Sequence, residues 1–217
     1  MVNGHLQATG IDAKGRKQYL YHAQWRSERD AVKFEHLLDF GLALPRLRRR
    51  VNRDMHERSL RKTRVIATII RLLEQSLIRV GSDEYAKENE SYGLSTLKNR
   101  HARVKGDELI FQFRGKSGIY HAIKVTDARV ARTVKRCQDL PGQRLFQYYD
   151  ETDQMRDVRS EDVNEYIQQV IGPRINRLWD AGWRSGAHAV EIRRTVRSEN
   201  RNAPSRRRSP GSSRSND

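Results

Sequence analysis

The sequence predicts an α+β fold, mainly helical, with a small three-stranded antiparallel sheet and a disordered Arg-rich C-terminal tail. Three observations carry this. Ile66, Ile69, Ile70, Leu73 and Leu77 recur at helical spacing, and Val65 and Leu72 widen the stripe. From Ala102 the apolar period changes to two, with Leu109, Phe111 and Phe113 on one face. After Gly172 the aliphatic residues thin out while Arg, Ser, Asn and Gly accumulate, a composition too poor in apolar surface to offset its ordering entropy.

In chain order, Gly4, Gly10 and Gly15 mark turns, and QYLYH reads as a short strand. Nothing in residues 1–24 closes a domain by itself. Val32, Phe34, Leu37, Leu38 and Leu42 predict a helix over Asp30–Leu44, which Pro45 should break before the basic run Arg46–Arg50. A central helix is expected over Thr63–Arg79, closed by Gly81, with Ser82 capping a short helix through Asn89. Turns at KGD and RGKSG divide ARV, ELIFQF and IYHAIKV into a meander. Thr126 should cap a helix over Asp127–Cys137, and Ser160 a last one over Glu161–Val170. Tyr148 and Tyr149 read as strand and core residues. A short amphipathic helix carrying Ile175, Leu178, Trp179 and Trp183 is expected before the tail loses structure from about Ser198. The domains are thus 1–24, 25–172 and 173–217.

Composition narrows the function classes. The 217 residues hold 43 Lys+Arg against 27 Asp+Glu, a formal charge of +16. Such an excess favours a polyanion, because each cation that meets a phosphate releases condensed counterions. Residues 173–217 contain 11 Arg, no Lys and four acids, whereas Lys135 and Tyr166 are the last of their kind. A single Cys excludes an internal disulfide framework and a Cys-based zinc cage. No apolar run suits a membrane span, and neither GxxxxGK[ST] nor GxGxxG occurs, which argues against a nucleotide partner. Composition leads to the expectation of a soluble intracellular protein whose partner is a nucleic acid.

Two cations stand at defined points: Arg79 at the expected end of the central helix, and Lys116 in the tight turn between two strands. Arg can clamp two phosphate oxygens, and Lys can pass a proton to a leaving oxygen. The strings QATGIDAKGRKQYLYH, LIRVGSDEYAKENESYGLSTLKNRH and FRGKSGIYH contain both. In this order and spacing they resemble the type IB DNA topoisomerases of bacteria and poxviruses, from about Asn3 to Gly172. The resemblance implies ATP-independent relaxation of supercoiled DNA through a transient 3'-phosphotyrosyl single-strand break. It implies that Arg79 is a catalytic arginine stabilising the pentacoordinate phosphorane, and that Lys116 is the general acid for the 5'-oxygen. It also implies DNA contacts at Tyr19, Tyr21 and Tyr85, with Lys98, Asn99 and Arg100 as further phosphate contacts. The resemblance of QATGIDAKGRKQYLYH alone implies that residues 1–24 are the remnant of an N-terminal β domain and a linker. Only the resemblance, again, implies that the partner is duplex DNA and that the chain is a nucleoid-associated cytoplasmic monomer needing no metal or cofactor.

The family's second arginine, its histidine and its nucleophilic tyrosine have no counterpart after Gly172. Arg177, Arg184 and His188 do not lie in matching sequence, and no Tyr follows Tyr166. The expectation is therefore a topoisomerase polypeptide that is inactive by itself; the alternative is a non-catalytic duplex-DNA-binding remnant. A relation to the tyrosine recombinases fits the three strings less well. The change at Gly172 is what a GC-rich gene read out of frame produces. Translating the other two frames beyond the Gly172 codon should yield, in one of them, a helix with an Arg followed by a His and a Tyr. Unrelated sequence or early stops in both frames would overturn this expectation.

Overall fold

The structure, a computed structural model, describes residues 5–13, 15 and 17–172; the side chains of residues 26–38, Tyr85 and Ser117 fall outside it as well. The expectations for residues 173–217, both the short helix and the disordered tail, lie outside the described residues. The described chain is α+β. It begins with a hairpin of β1 (Leu6–Ile11) and β2 (Lys17–Tyr21), paired antiparallel. Gly10 does not turn the chain but sits in β1 opposite Gln18.

α1 follows as one helix of 32 residues, Ala23–Asp54, which contains Pro45 and corrects the expected break there. An interior proline costs about 3 kcal/mol through its missing N–H and its clash with the preceding turn. Phe40, Leu44, Leu47, Val51 and Met55 continue one stripe across Pro45, and each is buried. Fully burying each such side chain gains roughly 1.5–3 kcal/mol, so the stripe outweighs the proline. Pro45 faces solvent. The arginines that were expected to begin a new segment lie on the same helix: Arg50 and Arg53 both contact Asp54, and Arg48 pairs with Glu74 at 2.9 Å.

α2 (Lys62–Ser76) is the centre of the core. It has no exposed residue, and it packs against α1 and the elements introduced below: α4, α5, β5 and β6. Burial extends around the helix: Arg64 is buried too, donating to the carbonyls of Glu57 and Arg58 and to Thr133 Oγ1. The helix stops earlier than expected. Leu77 adopts a left-handed conformation, φ 58°, and its N–H donates to the Leu73 carbonyl, so Gly81 is not the cap. This turn sends Ile78 into the core and leaves Arg79 in an extended segment beyond the helix. A non-glycine residue there bears about 1–2 kcal/mol of strain, which the burial of α2 and Ile78 offsets.

α3 (Asp83–Asn89) follows, then the meander β3 (Ala102–Lys105), β4 (Glu108–Arg114) and β5 (Tyr120–Thr126) in the order β3-β4-β5. Leu109, Phe111 and Phe113 are buried on its core face, as their alternation indicates. α4 (Ala128–Gln138) is capped by Asp127 and not by Thr126: Asp127 Oδ1 accepts from the N–H groups of Arg129 and Val130. A further antiparallel pair, β6 (Gln147–Tyr149) and β7 (Met155–Asp157), precedes α5 (Ser160–Ile171). Arg159 occupies the cap position of α5 where Ser160 was expected, and Asp162 accepts its N–H at 2.8 Å. The described residues thus hold three small antiparallel sheets where the sequence indicated one.

One buried and one half-buried polar link tie the elements together. Tyr166 on α5 donates to Asp54 Oδ2 at 2.7 Å; burial and then this carboxylate push its phenol far above the usual range. Asp127 accepts from Gln75 and Arg71 on α2 as well as from its own helix. Burial raises its pKa, but the donors from Val130, Gln75, Arg129 and Arg71 outweigh burial and hold it below the ordinary carboxylate range. A depressed folded-state value means stability that is present above the unfolded value, about 4, and is lost as pH falls through the folded one. Asp127→Ala should therefore cost about 1–2 kcal/mol at pH 7, and the gap to the parent should close below about pH 4. Urea unfolding across this pH range is the check, and a gap independent of pH would refute the assignment.

Candidate nucleic-acid interface

The short extended segment after α2 is fixed by backbone bonds. The N–H of Leu94 donates to the Arg79 carbonyl at 2.8 Å, and the N–H of Ser95 to the Val80 carbonyl at 2.7 Å. This pairing requires two glycines to meet. A Cβ on Gly93 would lie 2.6 Å from Gly81 Cα and 2.7 Å from the Arg79 carbonyl oxygen. Gly81 itself has φ 103°, a region that glycine alone enters without strain. The position of Arg79 is thus set by main chain on both sides.

Lys116 begins a single 3-10 turn, Lys116–Gly118, between β4 and β5. The turn closes through Gly115 N–H to the Ile119 carbonyl at 2.8 Å and Gly118 N–H to the Gly115 carbonyl at 3.1 Å. Next to it the His121 ring stacks on Phe113, with centroids 5.2 Å apart. A Cβ on Gly115 would come within 2.4 Å of His121 Nε2, so the imidazole occupies the space that a side chain there would need.

Fold brings these distant positions together. Arg79, Lys116, Tyr92 and His121 line one cleft of about 510 Å³, with apolar walls from Leu77, Ile78, Phe113, Ile119 and Ile123. Among the described residues, neither the Arg79 guanidinium nor the Lys116 ammonium has an ion-pair or hydrogen-bond partner. Elsewhere many cations are paired: Arg48 with Glu74, Lys62 with Asp162, Lys124 with Glu108, Arg144 with Asp83. Two unpaired cations beside apolar walls form a place where an anion gains much and displaces little. Among the described residues no group of His, Cys, Asp and Glu is arranged to hold a metal, and no helix is long and apolar enough to cross a membrane.

The other expected contacts fall in three places. Tyr19 and Tyr21 lie on β2, where Tyr19 is exposed and Lys17 Nζ stands 5.7 Å from its ring centroid. Tyr21 stacks on Trp25 at 4.7 Å, and Trp25 on His5 at 5.3 Å, forming an aromatic stack where hairpin and α1 meet. Tyr85 is on α3, its side chain outside the described residues. Lys98, Asn99 and Arg100 flank and form a second 3-10 turn, Asn99–His101. The Asn99 amide donates to the Gly142 carbonyl and its N–H to the Gln143 carbonyl, so Asn99 anchors this turn to the loop before β6. Arg100 is exposed and Lys98 half-buried, so their cations remain accessible.

His101 organises the second turn. Its Nδ1 accepts the Lys98 N–H at 3.1 Å, and burial first, then the Arg100 and Lys98 cations, push its pKa down to about 4. The ring is therefore neutral at pH 7. With Nδ1 accepting, Nε2 carries the proton, and the 3.4 Å approach of Arg100 Nε to Nε2 is a contact between two donors. Tyr92 packs edge-on against His101 at 4.5 Å, and Lys98 Nζ stands 5.7 Å from the Tyr92 centroid. Tyr92 and His121 were missed by reasoning from sequence. The only signal was their position inside the strings that carry Arg79 and Lys116, in ESYG and GIYH.

Cys137 is buried, and burial pushes its thiol up to about 12, so it offers no nucleophile at neutral pH. Tyr148 is buried with its phenol raised, again by burial first, and Tyr166 is bonded to Asp54. Neither stands in the cleft.

Residues 22–175 match the family described as eukaryotic DNA topoisomerase I, catalytic core. The DNA topoisomerase 1B of Acanthamoeba polyphaga mimivirus is 33% identical over 174 residues, 78% of this chain and 52% of that protein. The DNA topoisomerase 1B of vaccinia virus (strain Copenhagen) is 31% identical over 116 residues, covering 54% of this chain and 37% of the viral protein. The DNA topoisomerase 1 of Mycosarcoma maydis is 26% identical over 136 residues, 61% of this chain and 12% of that protein. The chain thus spans about half the length of the mimivirus relative and little over a third of the vaccinia one.

The glycine contact gives a direct test of how Arg79 is held. Gly93→Ala forces a methyl group against the Gly81 backbone and the Arg79 carbonyl, and overpacking of this kind costs roughly 1–3 kcal/mol. A lowered urea midpoint with an unchanged m-value is expected. A variant as stable as the parent would show that the two backbones do not meet.

Proposed function

The chain belongs to the DNA topoisomerase I family, in the catalytic core that residues 22–175 match, and from this premise we propose that its cleft receives a phosphodiester of duplex DNA. One observation carries the reading: Arg79 and Lys116, far apart in sequence, line the same cleft with their cations unpaired among the described residues. The reaction is the type IB one, relaxation of supercoiled DNA without ATP through a transient 3'-phosphotyrosyl break.

The residue chemistry fits this assignment. Arg79, held by its backbone and free at its guanidinium, can neutralise negative charge building on the equatorial phosphorane oxygens. Its fixed position means that little reorganisation is needed as that charge develops. Lys116, in a turn closed by two backbone bonds, can hand a proton to the departing 5'-oxygen. Lys98 and Arg100 on the neighbouring turn, and Tyr19 and Tyr21 on the hairpin, lie along the flanking backbone as phosphate contacts. Family resemblance assigns Tyr85 of α3 a backbone contact as well. Asn99 acts indirectly, by fixing the turn that presents Lys98 and Arg100.

The nucleophile is not among these residues. The sequence holds no Tyr after Tyr166, and the buried Tyr148 and Tyr166 lack the access and the acidity that attack requires. We therefore read these 217 residues as a DNA-binding, transition-state-stabilising half of the reaction, which binds duplex DNA and does not cut it alone.

Relaxation of supercoiled plasmid by the purified 217-residue chain, without ATP or magnesium, should be absent while duplex binding is strong and steeply salt-dependent. Each phosphate contact contributes about one unit of log–log slope. Complete relaxation at sub-stoichiometric protein would overturn the inactivity. When a C-terminal segment from a relative is joined to the chain, cleavage should appear, and Lys116→Ala should lower its rate at least ~100-fold with duplex affinity nearly unchanged. Unimpaired cleavage by that variant would remove Lys116 from its role.

A further inference from the structure

Tyr92 lines the cleft together with Arg79 and Lys116, yet neither the sequence strings nor the charge balance assigns it a task. Its placement is constrained on several sides. Its N–H donates to the Arg114 carbonyl at 2.8 Å, which ties it to the end of β4 just before the Lys116 turn. Its successor is Gly93, whose backbone contact with Gly81 sets the position of Arg79. Its ring is braced by the edge contact with His101 and by the Lys98 ammonium. One residue is thus joined through its backbone to the supports of Arg79 and Lys116, and through its half-buried ring to the Lys98–Arg100 turn. Its hydroxyl has no hydrogen-bond partner among the described residues.

We infer that Tyr92 is a further DNA-contact residue, donating its hydroxyl to a backbone phosphate oxygen in the cleft occupied by Arg79 and Lys116. This rests on the reading of the cleft as a phosphodiester site. A phenol that served only to fill a core would be covered or bonded to protein; this one borders an open cleft beside two unpaired cations, where the complementary group is an anionic acceptor. The ring is held in place before DNA arrives, so little side-chain freedom is lost when the bond forms. Its contribution differs in kind from that of the cations. A neutral phenol meets phosphate without replacing a counterion, so it adds affinity and leaves the salt dependence untouched.

The experiment is a titration of a duplex oligonucleotide by the full 217-residue chain at several salt concentrations, for the parent, Tyr92→Phe and Arg79→Ala. Tyr92→Phe keeps the ring contacts and the backbone bond and removes only the hydroxyl. Affinity should fall roughly 10- to 150-fold, the scale of one hydrogen bond to a charged acceptor, with the log–log salt slope and the urea midpoint unchanged. Arg79→Ala should weaken binding and flatten the slope by about one unit. Parent-like affinity in Tyr92→Phe, alongside weakened Arg79→Ala, would overturn the Tyr92 contact and leave the cleft reading intact. Parent-like affinity in both variants would overturn the cleft reading and this inference with it. A flattened slope or a lowered midpoint in Tyr92→Phe would assign the hydroxyl a structural role instead.

Discussion

The burial of α2 is the constraint on which the other features depend. Helices with one wet face can shift along their partners, but this one is enclosed by α1, α4, α5, β5 and β6 and has no exposed residue to slide past solvent. Its polar residues are fixed as well: Arg64 by Thr133 and two carbonyls, Arg71 and Gln75 by Asp127. The left-handed residue at Leu77 then converts a rigid axis into a defined exit direction, and Arg79 is the first cation after that exit. A catalytic or binding group needs placement to a fraction of an ångström, and burial of a whole helix is an economical way to provide it.

The meander and the second 3-10 turn are attached to this axis by different means. β4 contributes Phe113, which buries against the core on one side and supports His121 beside the Lys116 turn. The Lys98–Arg100 turn is held by Asn99 and Gln138 through main-chain carbonyls, and by the neutral His101. Two cations that line the cleft are therefore positioned by backbone, and two on the other turn by side-chain scaffolding. Repulsion among so many cations is tolerated because nearly all of them stand at the surface, where water screens them.

Periodicity made the central helix and the meander legible, because both bury one regular face: Ile66, Ile69, Ile70 and Leu73 in the first, and Leu109, Phe111 and Phe113 in the second. Local punctuation was less reliable. Pro45 is a strong breaker in isolation, but the stripe from Phe40 to Met55 crosses it, and long-range burial decided the outcome. Gly81 looked like a helix end because glycine favours positive φ, and it does adopt one; the helix had already stopped at Leu77, a residue with no such preference. Thr126 was the expected cap, but Asp127 beside it takes the role, and its added bonds to Arg71 and Gln75 on α2 hold it there. Arg79 and Lys116 were legible through the strings that contain them. Tyr92 and His121 were not, since their contribution comes from packing against His101 and Gly115, which no linear pattern displays.

The pairing of Arg79 with Leu94 extends further. Arg79 exposes its guanidinium to the cleft while its carbonyl is held by the Leu94 amide, and Ser95 does the same for Val80. A ligand that grips the guanidinium only in this arrangement raises the free energy of opening those two amides by an amount set by its concentration relative to its dissociation constant. Hydrogen exchange at Leu94 and Ser95 is thereby an internal gauge of cleft occupancy, readable without any catalytic turnover.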